Sequence, residues 1–151
     1  MKNELQILLE IFQAEAEQEL SDLQIFKKLS ADPVNFTRES LAHFTASAFV
    51  VNQTHDEALA IYHIGLKLLS TGPISIEVLT VAGHVHRTRG YVSAHLHLNV
   101  TFLFEVDEAE PLHKNEEETG GVAWIPLDQF VEKSTEPEMK VVYRKIISRI
   151  K

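Results

Sequence analysis

Four histidines occur as two pairs, each with the two-residue spacing of one strand face: His84 and His86, then His95 and His97. Because successive side chains of a strand point to opposite faces, each pair presents both imidazoles on one side, and a hairpin would bring the pairs together. Zinc binds imidazole nitrogen, so these histidines are candidate metal ligands. Histidine pairs on strands are also common without a metal. The sequence favours this second interpretation, a polar face lining a cleft, in which zinc binding is weak or absent.

Other side chains near the histidines are candidates for contact with a ligand. Arg87 and Arg89 lie between the pairs and could clamp a phosphate through paired donors, although a solvated loop is the favoured interpretation. His97 and Asn99 share a polar strand face, so both are candidate substrate contacts. Trp124 could stack on a nucleobase, but its apolar neighbours favour packing in the core.

Two amphipathic helices are predicted near the ends of the chain. Apolar residues recur every three or four positions from Leu5 to Phe26, which predicts one long helix within 1–32 that ends before Pro33. Residues 137–151 again show one apolar face, with basic residues placed favourably for the helix dipole.

Strands are predicted where β-branched and aromatic residues concentrate between turn formers. The first two strands are joined by the turn-forming run 52–56 and should pair as a hairpin. Along the last strand, polar residues alternate with apolar ones, so one face is polar. A short helix should begin at Pro126. The predicted strands are 43–51, 58–62, 74–82 and 95–106.

Composition excludes several classes of function. The chain has 151 residues, 44% of them hydrophobic, which suits a single domain over 1–151. It has no cysteine, which excludes disulfides, thiolate nucleophiles and cysteine zinc sites. Its net charge of −8 repels polyanions, so nucleic acid is not an expected partner. No apolar run approaches the roughly 20 residues of a membrane span, and the start lacks the apolar segment of a signal peptide. We therefore expect a cytoplasmic protein without a membrane partner.

Several ordered segments resemble the Nudix hydrolases. The letters HFTASAFVV at 43–51 and AIYH at 60–63 are similar to the first hairpin of that family. HLHLNVTF at 95–102, NEEE at 115–118 and GVAWIPL at 121–127 are similar to the second half of a bacterial member. The resemblance implies an α/β fold of the α+β type: a Nudix-like α/β/α sandwich with a mixed sheet, its core at 37–133 and the N-terminal helix as an extra element. It also implies hydrolysis, dependent on Mg²⁺ or Mn²⁺, of a nucleoside diphosphate linked to another moiety, and hence a nucleotide-type small molecule as ligand.

The catalytic segment of that family, the Nudix box, is missing. In the family, a loop and helix of this segment carry the carboxylates that hold Mg²⁺ or Mn²⁺. Here Tyr62-His63 passes directly to Ile64, and Gly65-Leu66 look like the last two residues of the motif. The expectation is a Nudix-like protein without its catalytic helix and with impaired hydrolysis, because the ligands of the metal are absent.

An acidic loop offers weak substitutes for the box. In some family members a glutamate of this loop approaches the metal or the attacking water, which makes Glu116, Glu117 and Glu118 catalytic candidates by resemblance. The favoured interpretation is a solvated surface loop, because Pro111 and two glycines disfavour a helix there. One loop glutamate also carries too little charge to hold hydrated Mg²⁺.

Two alternative functions stay open at the level of sequence. The chain is an active magnesium-dependent Nudix pyrophosphohydrolase if an internal segment is omitted between His63 and Ile64, which its intact mass would reveal. Otherwise, it is a metal-binding or dimerisation module built on the histidine face.

A homodimer is the expected assembly. The catalytic helix of a Nudix fold covers one face of the sheet, and its loss should leave apolar surface exposed. Soluble monomers rarely expose apolar patches of more than roughly several hundred Å². The N-terminal helix, with its apolar stripe, could cover this surface within one chain or cross to a second copy, and two-fold exchange is the commoner solution.

Overall fold

The computed structural model describes residues 3–60, 67–68, 72–86, 88, 90–109 and 122–150, which form a mixed α+β fold. The helices are α1 (Glu4–Ile11), α2 (Glu17–Leu29), α3 (Leu127–Lys133) and α4 (Pro137–Ile150), with a 3₁₀ turn at Pro33–Phe36. The strands are β1 (Ala42–Val51), β2 (Glu57–Ala60), β3 (Lys67–Leu68), β4 (Ser75–Val81), β5 (His84–His86), β6 (Gly90–Val92), β7 (His95–Glu105) and β8 (Ala123–Pro126). The expected α+β class is confirmed. No described helix is long and apolar enough to cross a membrane.

The N-terminal segment forms two helices, and the prediction of one long helix is wrong. The backbone is extended at Phe12 and again at Ala16, between α1 and α2. The carboxylate of Glu19, a fully buried residue, accepts a hydrogen bond from the Glu15 amide at 3.1 Å, which satisfies a backbone donor just before α2. Residues 13–16 contain neither proline nor glycine, so the local sequence carries no signal for this break.

Contacts between α1 and the end of α2 favour the break. Asn3 caps α1 in a capping box: its Oδ1 accepts a hydrogen bond from the Gln6 backbone amide, and its own backbone amide donates to Gln6 Oε1. The side-chain amides of both residues also donate to the Ser30 carbonyl, at 3.3 and 3.4 Å. The start of α1 therefore meets the end of α2, which a continuous helix cannot achieve.

The chain consists of two compact units. The first unit comprises Met1–Ser47 and Ile76–Val100, and the second unit comprises Ala48–Ser75 and Thr101–Lys151. Strands β1 and β7 each contribute residues to both units.

The two long strands, β1 and β7, run parallel. In the first unit the Leu96 amide donates to the Leu41 carbonyl at 2.7 Å, and in the second unit the Val106 amide donates to the Val51 carbonyl at 3.0 Å. The two pairs have the same offset in sequence, which is the pattern of parallel strands. The β1–β2, β2–β8 and β3–β7 pairs are antiparallel. The expected mixed sheet and the hairpin of β1 with β2 are confirmed.

The first unit is built on large buried side chains from its helices and strands. Phe26 of α2 is fully buried and meets the ring of Phe44 edge-on, with centroids 5.5 Å apart. The Asp22 carboxylate accepts a hydrogen bond from the Val78 amide at 3.2 Å, which ties α2 to β4. Other fully buried apolar residues of this unit are Leu9, Ile76 and Leu98.

The second unit has its own apolar core. Trp124 packs against the buried cluster of Val50, Leu59 and Val106, which confirms core packing for this side chain. Helix α4 buries one face, as its pattern predicts, through Val142, Ile146 and Ile147.

An aromatic group in the second unit holds α3, α4 and β1 together. The rings of Phe130 and Tyr143 meet edge-on at 5.1 Å, and Phe49 contacts Phe130 at 5.4 Å. Burial raises the pKa of the Tyr143 phenol, and the negative charge of Glu136 adds to this effect.

The turn between β1 and β2 depends on one buried side chain. Asn52 is 1% exposed, and its Oδ1 accepts hydrogen bonds from the backbone amides of Asp56 and Glu57, both at 3.1 Å. Hydrogen bonds from the Thr54 hydroxyl and the Asn52 amide lower the pKa of the Asp56 carboxyl. His55 in the same turn adopts a left-handed backbone, with φ of 56°.

Candidate functional site

Three histidines of the first unit converge at one point. His95 and His97 lie two apart on β7, and their Nε2 atoms are 3.1 Å from each other. His43 on β1 stacks on His95 with ring centroids 5.2 Å apart, and its centroid is 4.8 Å from that of His97. One ring nitrogen from each residue lies within 4.8 Å of the other two. We call His43, His95 and His97 the three-histidine cluster.

Hydrogen bonds to backbone carbonyls orient two of these rings. His95 Nδ1 lies 2.8 Å from the Ser93 carbonyl oxygen, and His43 Nδ1 lies 3.3 Å from that of Ser40. Because a carbonyl only accepts, each Nδ1 must carry the proton and donate. In the neutral ring the lone pair then belongs to Nε2, the atom free of the backbone contact.

The surroundings of the third ring, His97, lower its pKa. Burial lowers the pKa of His97, and positive charge on His43, His95 and Arg38 lowers it further. A neutral imidazole is the form that accepts a hydrogen bond or binds a metal.

The chain before β1 fixes the position of His43. The Ser40 hydroxyl donates to Asn35 Oδ1 at 2.9 Å, and the Asn35 amide donates to the Leu29 carbonyl at 2.9 Å. Asn35 is buried, and His43 itself is only 7% exposed. The segment between α2 and β1 is thereby anchored to the end of α2, which limits the movement of the His43 ring.

Asn99 ties the two strands together beyond the cluster. Its Oδ1 accepts hydrogen bonds from the Thr45 hydroxyl at 3.0 Å and from the Ser47 hydroxyl at 2.8 Å. Asn99 is 4% exposed. Among the residues that the structure describes, it does not belong to those that line the cavity next to the cluster. The structure thus gives Asn99 a structural contact where the sequence suggested a substrate contact.

The three-histidine cluster opens into a cavity of about 680 Å³ in the first unit. Among the residues that the structure describes, five histidines line it. Two of the five, His84 and His86, are exposed on β5 and lie outside the cluster. His84 Nδ1 donates to the Ala82 carbonyl, whereas His86 Nδ1 accepts a hydrogen bond from the Thr88 amide at 3.2 Å.

The predicted group of four histidines is therefore divided. His95 and His97 share one face of β7 as their spacing predicts, but the third member of the cluster is His43, which sequence reasoning missed. A signal was present: His43, Thr45 and Ser47 alternate with apolar residues, as the polar residues of β7 do.

Other candidate residues lie outside the described chain. These are Arg87, Arg89, Glu116, Glu117 and Glu118, together with the junction of His63 and Ile64.

The cavity does not fit the Mg²⁺ or Mn²⁺ that the Nudix resemblance implies. Mg²⁺ requires oxygen ligands, with carboxylates prominent among them. Glu39 is the single carboxylate among the lining residues that the structure describes, and the convergent donors are imidazole nitrogens.

No protein-family model matches the chain, and no curated protein matches it. The molecule is accordingly defined by its own features, a mixed α+β fold whose first unit carries a three-histidine cluster in a cavity.

Proposed function

We propose that this chain is a Nudix-related binding domain that takes a nucleotide-type small molecule into the cavity of the first unit and lacks magnesium-dependent hydrolysis. The observation that supports it is the lining of the cavity, which combines an exposed aromatic ring, Phe36, with the cationic Arg38 and several imidazoles. The cavity volume lies within the range of small-molecule sites, about 300–1,000 Å³.

Phe36 suits the base of such a ligand. Phe36 is 46% exposed, and its ring stacks on Phe44 with centroids 5.0 Å apart and planes inclined by 29°. Phe44 is in turn supported by the buried ring of Phe26. A rigidly backed aromatic surface is a good stacking platform, and stacking on a base contributes about 1–3 kcal/mol.

Arg38 and His86 suit the phosphates. Arginine offers planar, permanently charged donors that match phosphate oxygens. His86 accepts the Thr88 amide at Nδ1, so its neutral ring carries the proton on Nε2, which is available as a donor. An anion in the cavity would therefore meet donors from both residues.

Hydrolysis is not expected, because the described cavity offers no carboxylate set for Mg²⁺. The purified chain should show no magnesium-dependent turnover of ADP-ribose, dinucleoside polyphosphates or nucleoside triphosphates. Turnover that persists through repurification and disappears in Glu117→Gln would support the active hydrolase instead.

Isothermal titration with ADP and ADP-ribose tests the binding. The wild-type chain should bind at least one of them, and Phe36→Ala should weaken binding at least about fivefold, from the loss of stacking. Val141→Ala is the control, because this exposed residue lies on α4 in the second unit. No binding at millimolar ligand, or equal binding by Phe36→Ala and wild type, would refute the proposal.

A further inference from the structure

We propose that the three-histidine cluster is a binding site for a transition metal of the Zn²⁺ type, with one coordination position open to the cavity. This inference does not depend on nucleotide binding, because it rests on the mutual geometry of His43, His95 and His97 alone.

The distance between two of the ligands is already that of a metal site. Zinc binds histidine nitrogen at about 2.0–2.1 Å, so two ligands of a tetrahedral ion lie about 3.3 Å apart. The Nε2 atoms of His95 and His97 are 3.1 Å apart. One ring nitrogen from each of the three residues lies within 4.8 Å of the other two, so the widest pair must approach by at most about 1.5 Å for the site to close on an ion.

The hydrogen bonds of the cluster match those of histidine ligands. A ligating histidine usually donates its other ring N–H to a carbonyl or carboxylate, which fixes the tautomer and the ring orientation. His95 makes this contact with the Ser93 carbonyl, and His43 makes it with the Ser40 carbonyl. Each contact leaves Nε2 as the atom with a lone pair, so a metal would be bound through that atom.

The donor set selects the class of metal. Imidazole suits zinc, copper, nickel and iron, whereas magnesium and calcium require oxygen. Three histidines with a fourth position accessible to solvent or ligand are typical of a zinc site that keeps an open position. The accessible side of this cluster is the cavity, which is also lined by Arg38 and His86, so an anion could occupy the fourth position.

A competing explanation needs no metal. The His97 Nε2–H could donate to the lone pair of His95 Nε2, which accounts for the 3.1 Å separation as an ordinary hydrogen bond. This arrangement is the polar strand face that the sequence favours, now with His43 beside it. The two explanations differ in what happens when the metal alone is added.

The test is a titration of the whole chain, treated first with a chelator, with Zn²⁺ alone. Calorimetry and ¹⁵N NMR of the imidazole nitrogens monitor this titration. We expect uptake of one ion per chain and a change in the Nε2 resonances of the three cluster residues. Co²⁺ in place of Zn²⁺ should give the visible absorption of a tetrahedral site.

Variants then locate the ion. His43→Phe keeps an aromatic ring in the buried position, and His97→Gln keeps a polar side chain, so both should fold; each should weaken Zn²⁺ binding at least about tenfold. His55→Asn is the matched control, because His55 is paired with Glu105 in the second unit and Asn tolerates its left-handed backbone.

Three results would overturn the inference. The first is no Zn²⁺ uptake in the high micromolar range by the wild-type chain. The second is Zn²⁺ uptake that leaves the Nε2 resonances of the cluster unchanged. This measurement uses the wild-type chain alone and so does not depend on the folding of a variant. The third is binding that survives both cluster variants but is lost in His84→Ala. Because the Zn²⁺ titration contains no nucleotide, a negative result does not contradict the proposed nucleotide binding. A negative result of the nucleotide titration likewise does not contradict the proposed metal site.

Discussion

Replacement of Phe26 by alanine should be among the most destabilising single changes in the first unit. The side chain is fully buried and loses its edge-on contact with Phe44 as well as its own apolar burial. A buried phenylalanine truncated to alanine costs about 3–5 kcal/mol, including the cavity that is left. Ile25→Ala is a matched control on the same helix, because Ile25 is 40% exposed and should lose on the order of 1 kcal/mol or less.

Urea unfolding followed by circular dichroism measures both free energies. For small proteins the dependence on urea is about 1–3 kcal/mol per molar, so Phe26→Ala should lower the midpoint by on the order of 2 M while Ile25→Ala changes it little. If Phe26→Ala is unfolded without urea, Phe26→Leu should give a measurable loss of about 1–2 kcal/mol. Equal losses for Phe26→Ala and Ile25→Ala would refute the packing of α2 described above.

Three further changes test other parts of the molecule. Because the pKa of Tyr143 is raised above its ordinary value of 10.0, the unfolded chain loses the phenol proton before the folded chain does. The free energy of unfolding should therefore fall as pH rises above about 10. Urea unfolding at pH 9 and pH 11 should show this loss of stability, and Tyr143→Phe should make the loss smaller. Asn52→Ala leaves two turn amides without their acceptor and should cost about 1–3 kcal/mol by the same unfolding assay, whereas no loss would exclude its role in the turn. Light scattering should detect a homodimer that persists in high salt. Phe12→Glu should dissociate this dimer or cause aggregation. A monomer at high micromolar concentration would contradict the expected assembly.

The N-terminal segment shows where local patterns stop being sufficient. The apolar repeat from Leu5 to Phe26 correctly predicts helical structure, because this periodicity is a property of neighbouring residues. The break at 12–16 is not encoded there by any helix-breaking residue. The break is favoured by hydrogen bonds between residues distant in sequence, from the Asn3 and Gln6 side chains to the Ser30 carbonyl. The periodicity of apolar residues contains no information about such contacts.

The same limit applies to the candidate site. The spacing of His95 and His97 by itself determined that both rings share one face of β7, because alternation is fixed by strand geometry. The polar alternation on β1 was equally visible in the sequence. That β1 lies parallel beside β7, in the register that stacks His43 on His95, was decided only by tertiary structure, because pairing between distant strands depends on the packing of the whole sheet.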